Sequence, residues 1–397
     1  MRTLGVEEEL LVVDPEGRPV PLGPAALEVA AARGQGETVG AHDRGETSGE
    51  PGEDDGSPGA QLVPELKAQQ LELGTEVCRT LDEVGARLGH WRGRADEVAR
   101  AVGARVAALA TSPVAVAPVA TPGTRYGRML EAFEAIARDQ LTCGCHVHVS
   151  VDGEEEGVQV LDRIRVWLPV LTALTANSPY WRGEDTGYAS YRSQAWGRWP
   201  SAGPTELFGD VAAYHRLIDG LLATGTVVDS GMVYFDARLS ATWPTVEVRV
   251  ADVCLRVADA VTLAGLVRGL VETAARDARA GRPAPGARSE LIRVASWRAA
   301  RSGVTGDLVH PVTWRPAPAG EVAAALLDHV RPALADAGDE ERVAAGVAGI
   351  LRRGTGADLQ RRVLADTGDA GAVVRAAVEE TAGAAGDAAG ASEGPAR

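Results

Sequence analysis

The sequence predicts an α+β fold in which helices cover one face of an antiparallel sheet. Four segments alternate apolar and polar residues with the period of two that is typical of half-buried strands. Several longer segments repeat apolar residues every three or four positions, as amphipathic helices do. Strands and helices are interspersed without the regular β-α-β order of a parallel sheet, which favours an antiparallel one.

These periods place the individual elements. Period-two alternation predicts four strands, at Leu4–Val13, Cys145–Val151, Val233–Leu239 and Thr245–Val250. Helical spacing predicts helices over 77–110, from a Thr124 cap to about Leu141, and over 158–177, 211–224, 256–280 and 286–302, followed by a helical C-terminal third. The apolar strand faces need helices packed behind them, and these helices are numerous enough to supply that cover.

Length and composition predict one large domain with two segments that do not join its core. The chain has 397 residues, enough to bury a sizeable core, and we assign residues 1–382 to a single domain. The segment at about 34–60 has seven acidic residues, one arginine and almost nothing to bury, so we expect a disordered insert there. The Ala/Gly-rich tail at 383–397 is also expected to be disordered.

Charge and cysteine content argue against several classes of protein. The chain has 40 Lys and Arg against 55 Asp and Glu, a formal charge of −15, so we expect no nucleic-acid partner. The N-terminus lacks a signal peptide, and the most apolar stretch, at 104–120, contains two prolines, so we expect no membrane segment. Four cysteines without C-x-x-C spacing predict reduced thiols and a cytoplasmic location.

The first predicted strand carries carboxylates. Glu7 and Glu9 project from one face, whereas Glu8 lies on the opposite face beside apolar residues. A solvated strand face and a functional face explain this segment equally well.

The second strand carries two histidines. His146 and His148 share a face and Cys145 lies on the other, so Cys145 cannot complete a zinc tetrahedron with them unless the strand has a bulge. Lone histidines are usually structural, and two on one face leave a structural and a functional role equally open.

The last predicted strand places Glu247 and Arg249 on one face, where they could form a simple ion pair worth about 0–1 kcal/mol if exposed. Three polar strands in one sheet would instead line an open concave surface rich in carboxylates. Hard oxygen ligands of this kind suit Mg²⁺, and carboxylates without cationic partners generally need a metal ion or raised pKa values.

Six motifs of the sequence resemble the glutamate–cysteine ligase type 2 family, the carboxylate–amine ligases of the YbdK kind. They are, in chain order, G-V-E-E-E-L, V-P-E-L-K-A-Q-Q-L-E-L-G-T-E-V-C, C-G-C-H-V-H-V-S-V, the segment 176–200, F-D-A-R-L-S and T-V-E-V-R-V-A-D-V. The resemblance implies the fold of the glutamine synthetase catalytic domain and of guanidino kinases, in which a curved antiparallel sheet forms an open funnel with helices outside. Residues 1–382 would then form a single catalytic domain.

The resemblance also implies a chemistry and a set of site residues. The reaction would be ATP-dependent and Mg²⁺-dependent amide formation through an acyl phosphate, with glutamate and cysteine as the first choice of small-molecule acid and amine. A homodimer is implied as well. The implied metal ligands are Glu7, Glu9, Glu247 and Glu72, the last at a helix start; the implied nucleotide-binding or substrate-binding residues are His146, His148 and Arg198; and the implied catalytic arginines are Arg192, Arg238 and Arg249.

Other functions stay open. The chain could be a carboxylate–amine ligase with another acid and amine, a guanidino kinase, a metallohydrolase that uses His146, His148 and a carboxylate on zinc, or a non-catalytic binding protein. No G-x-x-x-x-G-K-[ST] motif is present, which excludes a P-loop. The aromatic residues interleaved with arginines between Ser178 and Pro204 could fill a core or stack on adenine.

Overall fold

The computed structural model describes residues 1–34 and 61–389 of the chain. Its strands are β1 Leu4–Val13, β2 Gln61–Pro64, β3 Gln70–Gly74, β4 Arg105–Ala107, β5 Gly144–Ser150, β6 Tyr180–Trp181, β7 Glu184–Asp185, β8 Ala237–Leu239, β9 Thr245–Asp252, β10 Asp307–Val309 and β11 Pro316–Pro318. Its first helices are α1 Gly23–Ala32, α2 Leu81–Ala101, α3 Thr124–Asp139, α4 Glu154–Ile164, α5 Leu168–Leu174, α6 Tyr191–Trp196 and α7 Val211–Ala223. The C-terminal helices are α8 Val257–Arg279, α9 Ser289–Ser302, α10 Ala319–Ala337, α11 Glu340–Arg353, α12 Gly356–Thr367 and α13 Ala370–Ala389.

A seven-stranded antiparallel sheet organises the described residues. Six strands follow the order β2-β3-β1-β5-β9-β8, and β4 pairs with the end of β1. Because the strand order leaves two edges, the sheet is open and does not close into a barrel. The expected α+β class with an antiparallel sheet is confirmed.

Helices cover the apolar face of this sheet. Helix α8 is buried along most of its length and packs against β5, α2, α4 and α10. The apolar residues of the strands, such as Val147 and Val248, are fully buried beneath these helices. Burial of a valine or leucine side chain contributes about 1.5–3 kcal/mol, so this layer supplies much of the stability of the domain.

One charged pair lies inside this apolar layer. Glu8 and Arg92 are 0% and 1% exposed, and both carboxylate oxygens accept hydrogen bonds of 2.7 Å from the Arg92 guanidinium. Arg92 also donates to the carbonyl oxygens of Cys254 and Leu255, at 2.6 and 2.9 Å. Glu8 therefore faces the core, as its strand position predicts, and is neutralised there by α2.

A smaller cluster forms a wall on the opposite, polar side of the sheet. Helix α3 and the segment 227–234 meet there around Met129, Trp199 and Tyr234. The helix begins at Thr124, directly after Gly123, and its helical dihedral angles are interrupted at Glu134. This wall leaves a cavity between itself and the sheet.

Two predicted helix boundaries are wrong. Glu72 does not begin a helix but lies in strand β3, where Leu71 and Leu73 are buried and Glu72 pairs with Glu9 of β1. The L-E-L sequence alternates with a period of two, which is the strand period. The helix predicted over 77–110 covers only α2, because the chain turns at Gly103, with φ of 79°, into strand β4.

Two other predicted elements are shorter than expected. The helix over 158–177 is divided into α4 and α5, with Pro169 in the first turn of α5, where a proline is tolerated. The strand over 233–239 is reduced to β8 because the preceding residues leave the sheet. Asp236 donates its backbone N–H to Gly203 instead of to a strand partner.

Two further features complete the fold. None of the helices within the described ranges is both long and apolar enough to span a membrane. The acidic insert falls almost entirely outside the described residues, α13 extends to Ala389 within the predicted tail, and the rest of that tail is not described.

We predict that Glu8→Gln destabilises the protein by about 3–5 kcal/mol, because it leaves the Arg92 guanidinium buried without a counter-charge. The measurement is urea unfolding of the metal-free protein. The matched control is Glu290→Gln, which breaks an exposed pair with Arg288 and should leave the unfolding midpoint unchanged. An unchanged midpoint for Glu8→Gln would show that the buried pair contributes nothing to stability.

Candidate active site

The polar face of the large sheet lines a cavity of about 670 Å³, which we call the funnel. Strands β1, β3, β5 and β9 supply its floor, and α3 with the segment 227–234 supplies its wall. Of the residues implied from the sequence, the funnel brings together Glu7, Glu9, Glu72, His146, Arg238 and Arg249. The polar faces of the three predicted strands therefore meet, as their alternation indicates.

Three carboxylates crowd together at one side of the funnel. One oxygen from each of Glu9, Glu65 and Glu72 lies within 4.8 Å of the others, and we call these residues the carboxylate trio. Burial, with Glu65 as the nearest like charge, raises the pKa of Glu9 to about 7, although its carboxylate accepts a 2.8 Å hydrogen bond from the Gly144 backbone N–H. Burial and the neighbouring carboxylates raise the pKa of Glu72 well above its usual range. The trio is thus short of positive charge.

Glu7 lies between the two histidines of β5. His146 Nδ1 is 3.4 Å and His148 Nε2 is 3.3 Å from the carboxylate oxygens of Glu7. Burial opposes ionisation of Glu7, but His148 and His146 outweigh it and hold its pKa well below the usual range. Burial and Arg249 lower the pKa of His146 to about 4, whereas the pKa of His148 is raised because Glu7 outweighs burial.

Glu247 already has two cationic partners. Arg238 donates to it from Nε at 2.7 Å, and Arg249 pairs with its other oxygen. Burial would raise the pKa of Glu247, but Arg249 and Arg238 outweigh it and hold that pKa below its usual range. With Glu7 and His148, Glu247 forms a second group whose ligand atoms lie within 4.8 Å of one another. The predicted ion pair therefore exists, and its arginine lines the funnel.

A bulge in β9 sets the position of Arg249. Cys145 and Val147 of β5 lie opposite Ala251 and Val248, so two steps along β5 match three along β9. A bulge re-aims the side chains beside it. Arg249 stays on the funnel side, as the alternation predicted, but also lines a neighbouring cavity, and Val250, which the alternation predicted to pack with Val248, lines that cavity too.

This neighbouring cavity, which we call the side cavity, has a volume of about 310 Å³. It shares Trp196, Tyr234 and Arg249 with the funnel. Arg192 lines it and is 2% exposed, and its guanidinium packs so closely on Gly144 that a Cβ there would clash with Nη2. The glycine of C-G-C thus makes room for this arginine.

The structure separates Arg198 from the carboxylates. Arg198 lines the side cavity, donates from Nε to the Ala195 carbonyl oxygen at 3.0 Å and lies 5.5 Å from the ring of Trp181. Among the aromatic residues of this segment, Trp199 is 2% exposed and belongs to the cluster that forms the funnel wall, whereas Trp196 lines both cavities. The segment therefore contributes both to a core and to cavity walls.

An apolar slot of about 260 Å³ adjoins the other side of Glu7. His148 lines this slot and not the funnel, and its Nδ1 lies 3.0 Å from the Thr245 hydroxyl. The rim carries Val77 and Trp243, which are 53% and 42% exposed. The slot is therefore an apolar space with an exposed rim, and it adjoins charged groups.

Sequence reasoning missed several funnel residues. Glu65 lies in the same motif as Glu72 but follows the end of β2, so strand alternation gave no signal for it. Arg125 and Asp229 line the funnel wall and pair through hydrogen bonds of 2.7 and 3.1 Å, although they are 104 residues apart in the sequence. Only tertiary packing brings these two residues together.

The donor atoms of the trio fit a hard divalent cation. All of its side-chain donors are carboxylate oxygens, which Mg²⁺ prefers, and the raised pKa values of Glu9 and Glu72 indicate that positive charge is missing beside them. The group of Glu7, His148 and Glu247 mixes nitrogen with oxygen, and Glu247 is already neutralised by arginines. The trio is therefore the better candidate for a magnesium site.

Known proteins resemble this chain over nearly its whole length. A family model described as glutamate-cysteine ligase family 2 matches residues 3–380. A protein of Paenarthrobacter aurescens with the provisional name glutamate–cysteine ligase 2-1 is 51% identical over 363 residues, 91% of this chain and 90% of that protein. A protein of Streptomyces coelicolor with the provisional name glutamate–cysteine ligase 2 is 50% identical over 382 residues, 96% of this chain and 99% of that protein.

Solved structures show the same fold at low sequence identity. A glutamate–cysteine ligase of Francisella tularensis in complex with AMP has a TM-score of 0.66 at 14% identity, covering 98% of this chain and 93% of that one. A bifunctional glutathione synthetase of Pasteurella multocida has a TM-score of 0.67 at 16% identity, and the match covers 96% of this chain but only 52% of that one. With this fold and these relatives, the chain belongs to the glutamate–cysteine ligase family 2, a family of ligase enzymes.

Proposed function

We propose that this chain joins a carboxylate to an amine at the expense of ATP, with glutamate as the acid and cysteine as the amine. The observation that carries the proposal is one funnel in which an uncompensated carboxylate trio faces Arg238 and Arg249, in a chain of a ligase family. Phosphoryl transfer depends mainly on positioning and on neutralising charge, and such a funnel provides groups for both.

The residues have distinct roles in this proposal. Glu9, Glu65 and Glu72 would hold Mg²⁺, with Glu7 completing the metal-binding side of the funnel, whereas Glu247 is paired with Arg238 and Arg249. When bound, Mg²⁺ neutralises charge on the phosphates of ATP. Arg238 and Arg249 contact the transferred phosphoryl group or the substrate carboxylate, since a guanidinium binds either bidentately.

The reaction runs in two steps. An oxygen of the acid's carboxylate attacks the γ-phosphorus of ATP, and ADP leaves, which gives an acyl phosphate. The amine nitrogen then attacks the acyl carbon, phosphate leaves, and the amine loses a proton. His146 has a lowered pKa and is neutral near pH 7, so it can contact an incoming group without adding positive charge.

The nucleotide has a suitable place beside Glu7. The apolar slot is lined by Trp243 and Val77 and adjoins Glu7 and His148, the charged groups beside which the phosphates would lie. The Francisella tularensis ligase of the same fold is described in complex with AMP, which supports nucleotide use by this chain. We assign the adenine ring to this slot, with His148 at the boundary between ring and phosphates.

The substrate pair, the location and the oligomeric state are also part of this proposal. The physiological acid and amine could be another pair, because family membership supports ligation more directly than it supports either substrate. Cytoplasmic location and a homodimer are also expected. Family membership favours a ligase over a zinc hydrolase built on the histidines of β5.

The decisive experiment is phosphate release from ATP and Mg²⁺ in the presence of glutamate, with and without cysteine. We expect release that depends on glutamate and formation of an amide that depends on cysteine. Replacing each substrate in turn by other amino acids and amines would reveal a different pair. Absence of phosphate release with every acid tested would overturn the proposed function.

Glu7→Gln and Glu9→Gln should each lower ATP turnover by at least about 100-fold, because loss of one carboxylate weakens the binding of Mg²⁺, the ion that neutralises the phosphate charge. Steady-state kinetics at saturating Mg²⁺ measure this. Glu28→Gln, on the exposed side of α1, is the control and should turn over ATP normally. Near-normal turnover in Glu7→Gln would remove Glu7 from the site.

Glu72→Gln should stabilise the metal-free protein at about pH 8 and have less effect at about pH 5. Burial raises the pKa of Glu72 and of Glu9 above the ordinary value of 4.5, so between that value and about 7 the folded state binds more protons than the unfolded state. The free energy of unfolding therefore falls as pH rises through this window. Because Glu72→Gln removes one ionisable carboxylate from the trio, its free energy of unfolding should fall less over this pH range.

Thermal melting in EDTA and in Mg²⁺ checks this expectation. Mg²⁺ should stabilise the unaltered protein more than Glu72→Gln, because a ligand that binds the folded state raises its stability by mass action. Equal stabilisation of both proteins by Mg²⁺ would show that Glu72 is not a ligand. Equal melting temperatures of the unaltered protein and Glu72→Gln in EDTA at about pH 8 would show that the ionised Glu72 carboxylate does not destabilise the fold.

Trp243→Ala should raise KM for ATP by about 2- to 10-fold with little change in kcat, because a stacked aromatic ring contributes about 0.5–1.5 kcal/mol to binding. Initial rates at varied ATP measure the change. Val312→Ala, which trims another exposed apolar residue far from the slot in sequence, serves as the control. If KM for ATP stays constant, the adenine ring does not lie in the slot.

A further inference from the structure

The side cavity has an unusual combination of charges. Four arginines line it, Arg192, Arg198, Arg249 and Arg293, together with one carboxylate, that of Asp236. Arg249 is already paired with Glu247, so the other three give the cavity a surplus of positive charge. The Nε of Arg192 is buried and has no hydrogen-bond partner among the described residues. A buried donor without a partner is costly unless a ligand supplies one.

Asp236 also lacks a partner. Among the residues that the structure describes, its carboxylate forms no ion pair within 4.0 Å and no side-chain hydrogen bond, although its backbone is held by Gly203 and Arg249. Burial raises the pKa of Asp236 to about 7, against the opposing effect of Arg293 and Arg192. A partly buried carboxylate without a hydrogen-bonded cation costs free energy, which a bound cationic group would remove.

A purely structural role explains Asp236 poorly. Its carboxylate does not reach Arg293 closely enough for an ion pair, and it caps no helix. Aromatic residues, Trp196 and Phe235 among them, line the cavity around it. The Asp236 carboxylate therefore faces the cavity, and neither an ion pair nor a helix N-terminus among the described residues neutralises it.

We propose that the side cavity binds the α-amino-acid head of the acid substrate, with Asp236 accepting hydrogen bonds from its ammonium and Arg293 donating to its α-carboxylate. The inference rests on the proposed function, since it identifies the substrate of the same site. An acidic amino acid has two carboxylates and one ammonium, which matches a cavity with surplus arginine and a single aspartate. A neutral amino acid would leave the surplus positive charge unmatched.

The position of the cavity makes this head-group site productive. The side cavity and the funnel meet at Trp196, Tyr234 and Arg249. A head group held by Asp236 would leave the side-chain carboxylate to extend past Arg249 towards the carboxylate trio. Activation would then fall on the side-chain carboxylate and not on the α-carboxylate, so the amide would form at the side chain.

The test compares glutamate with glutarate, which has both carboxylates but no ammonium. We expect the unaltered protein to prefer glutamate in kcat/KM, and Asp236→Asn to lose about 10- to 100-fold of that preference, the range for a hydrogen bond between charged groups. The loss should come from glutamate, with glutarate little affected. A structural defect would lower kcat/KM for both acids alike, and that result would overturn the proposal.

A second variant tests the other end of the head group. Arg293→Gln should weaken the binding of glutamate but not that of 4-aminobutyrate, which lacks the α-carboxylate. Isothermal titration calorimetry without ATP measures the affinity for each ligand. Arg298→Gln, the same change on helix α9 at a residue that does not line the side cavity, is the matched control and should behave like the unaltered protein. Thermal melting of each variant establishes that it is folded. Equal weakening of both ligands in Arg293→Gln would overturn the assignment of that arginine.

The outcomes separate this inference from the proposed function. If phosphate release fails with every acid but glutamate still binds in a manner that depends on Asp236, the ligase proposal fails and the binding site stands. If ligation proceeds and Asp236→Asn keeps the full preference for glutamate over glutarate, the inference fails and the ligase proposal stands. A change confined to KM for cysteine would also overturn it, because Asp236 would then serve the amine.

Discussion

The ten residues of strand β1 form an apolar face in the core and a charged face in the funnel, and the rest of the structure depends on how both faces are accommodated. One face is buried under helices, and the other carries Glu7 and Glu9 into the funnel. Glu8 falls on the buried face, where a lone carboxylate would be prohibitive. The hydrogen-bonded pair with Arg92 makes that position tolerable and ties α2 and the end of β9 to the central strand. The registers of β3, β5 and β9 then place their polar residues opposite those of β1.

The two faces use charge in opposite ways. On the buried face the charge of Glu8 is matched, because both of its carboxylate oxygens accept hydrogen bonds from Arg92. On the funnel face the carboxylate trio is left unmatched, with Glu9 and Glu72 disfavoured as anions. A protein optimised for stability alone would pair or replace these carboxylates. A cation site requires ligands that are already held close together before the cation binds, and the sheet holds the carboxylates of the trio in this way.

Strand alternation predicted much of this arrangement and failed where the chain departs from regular strands. The shared face of Glu7 and Glu9, the opposite placement of Glu8, and the meeting of His146 with Glu247 follow from a period of two. The bulge in β9 does not, because nothing in T-V-E-V-R-V marks where an extra residue enters the ladder. Alternation also did not identify Glu65, which follows the end of β2, or Asp236, which precedes the start of β8. The pairing of Arg125 with Asp229 could not be predicted from the sequence, because it depends on the tertiary fold.

The bulge has a chemical consequence beyond its effect on the ladder. Without it, Val250 would continue the buried row of Val246 and Val248, and Arg249 would remain an ordinary member of the polar row. With it, Arg249 lies where the funnel and the side cavity meet, paired with Glu247 on one side. A single guanidinium can then contact groups in both spaces, so a charged ligand in the side cavity would alter the electrostatic potential at Glu247 through Arg249. The bulge thus couples two cavities whose lining residues come from separate parts of the chain.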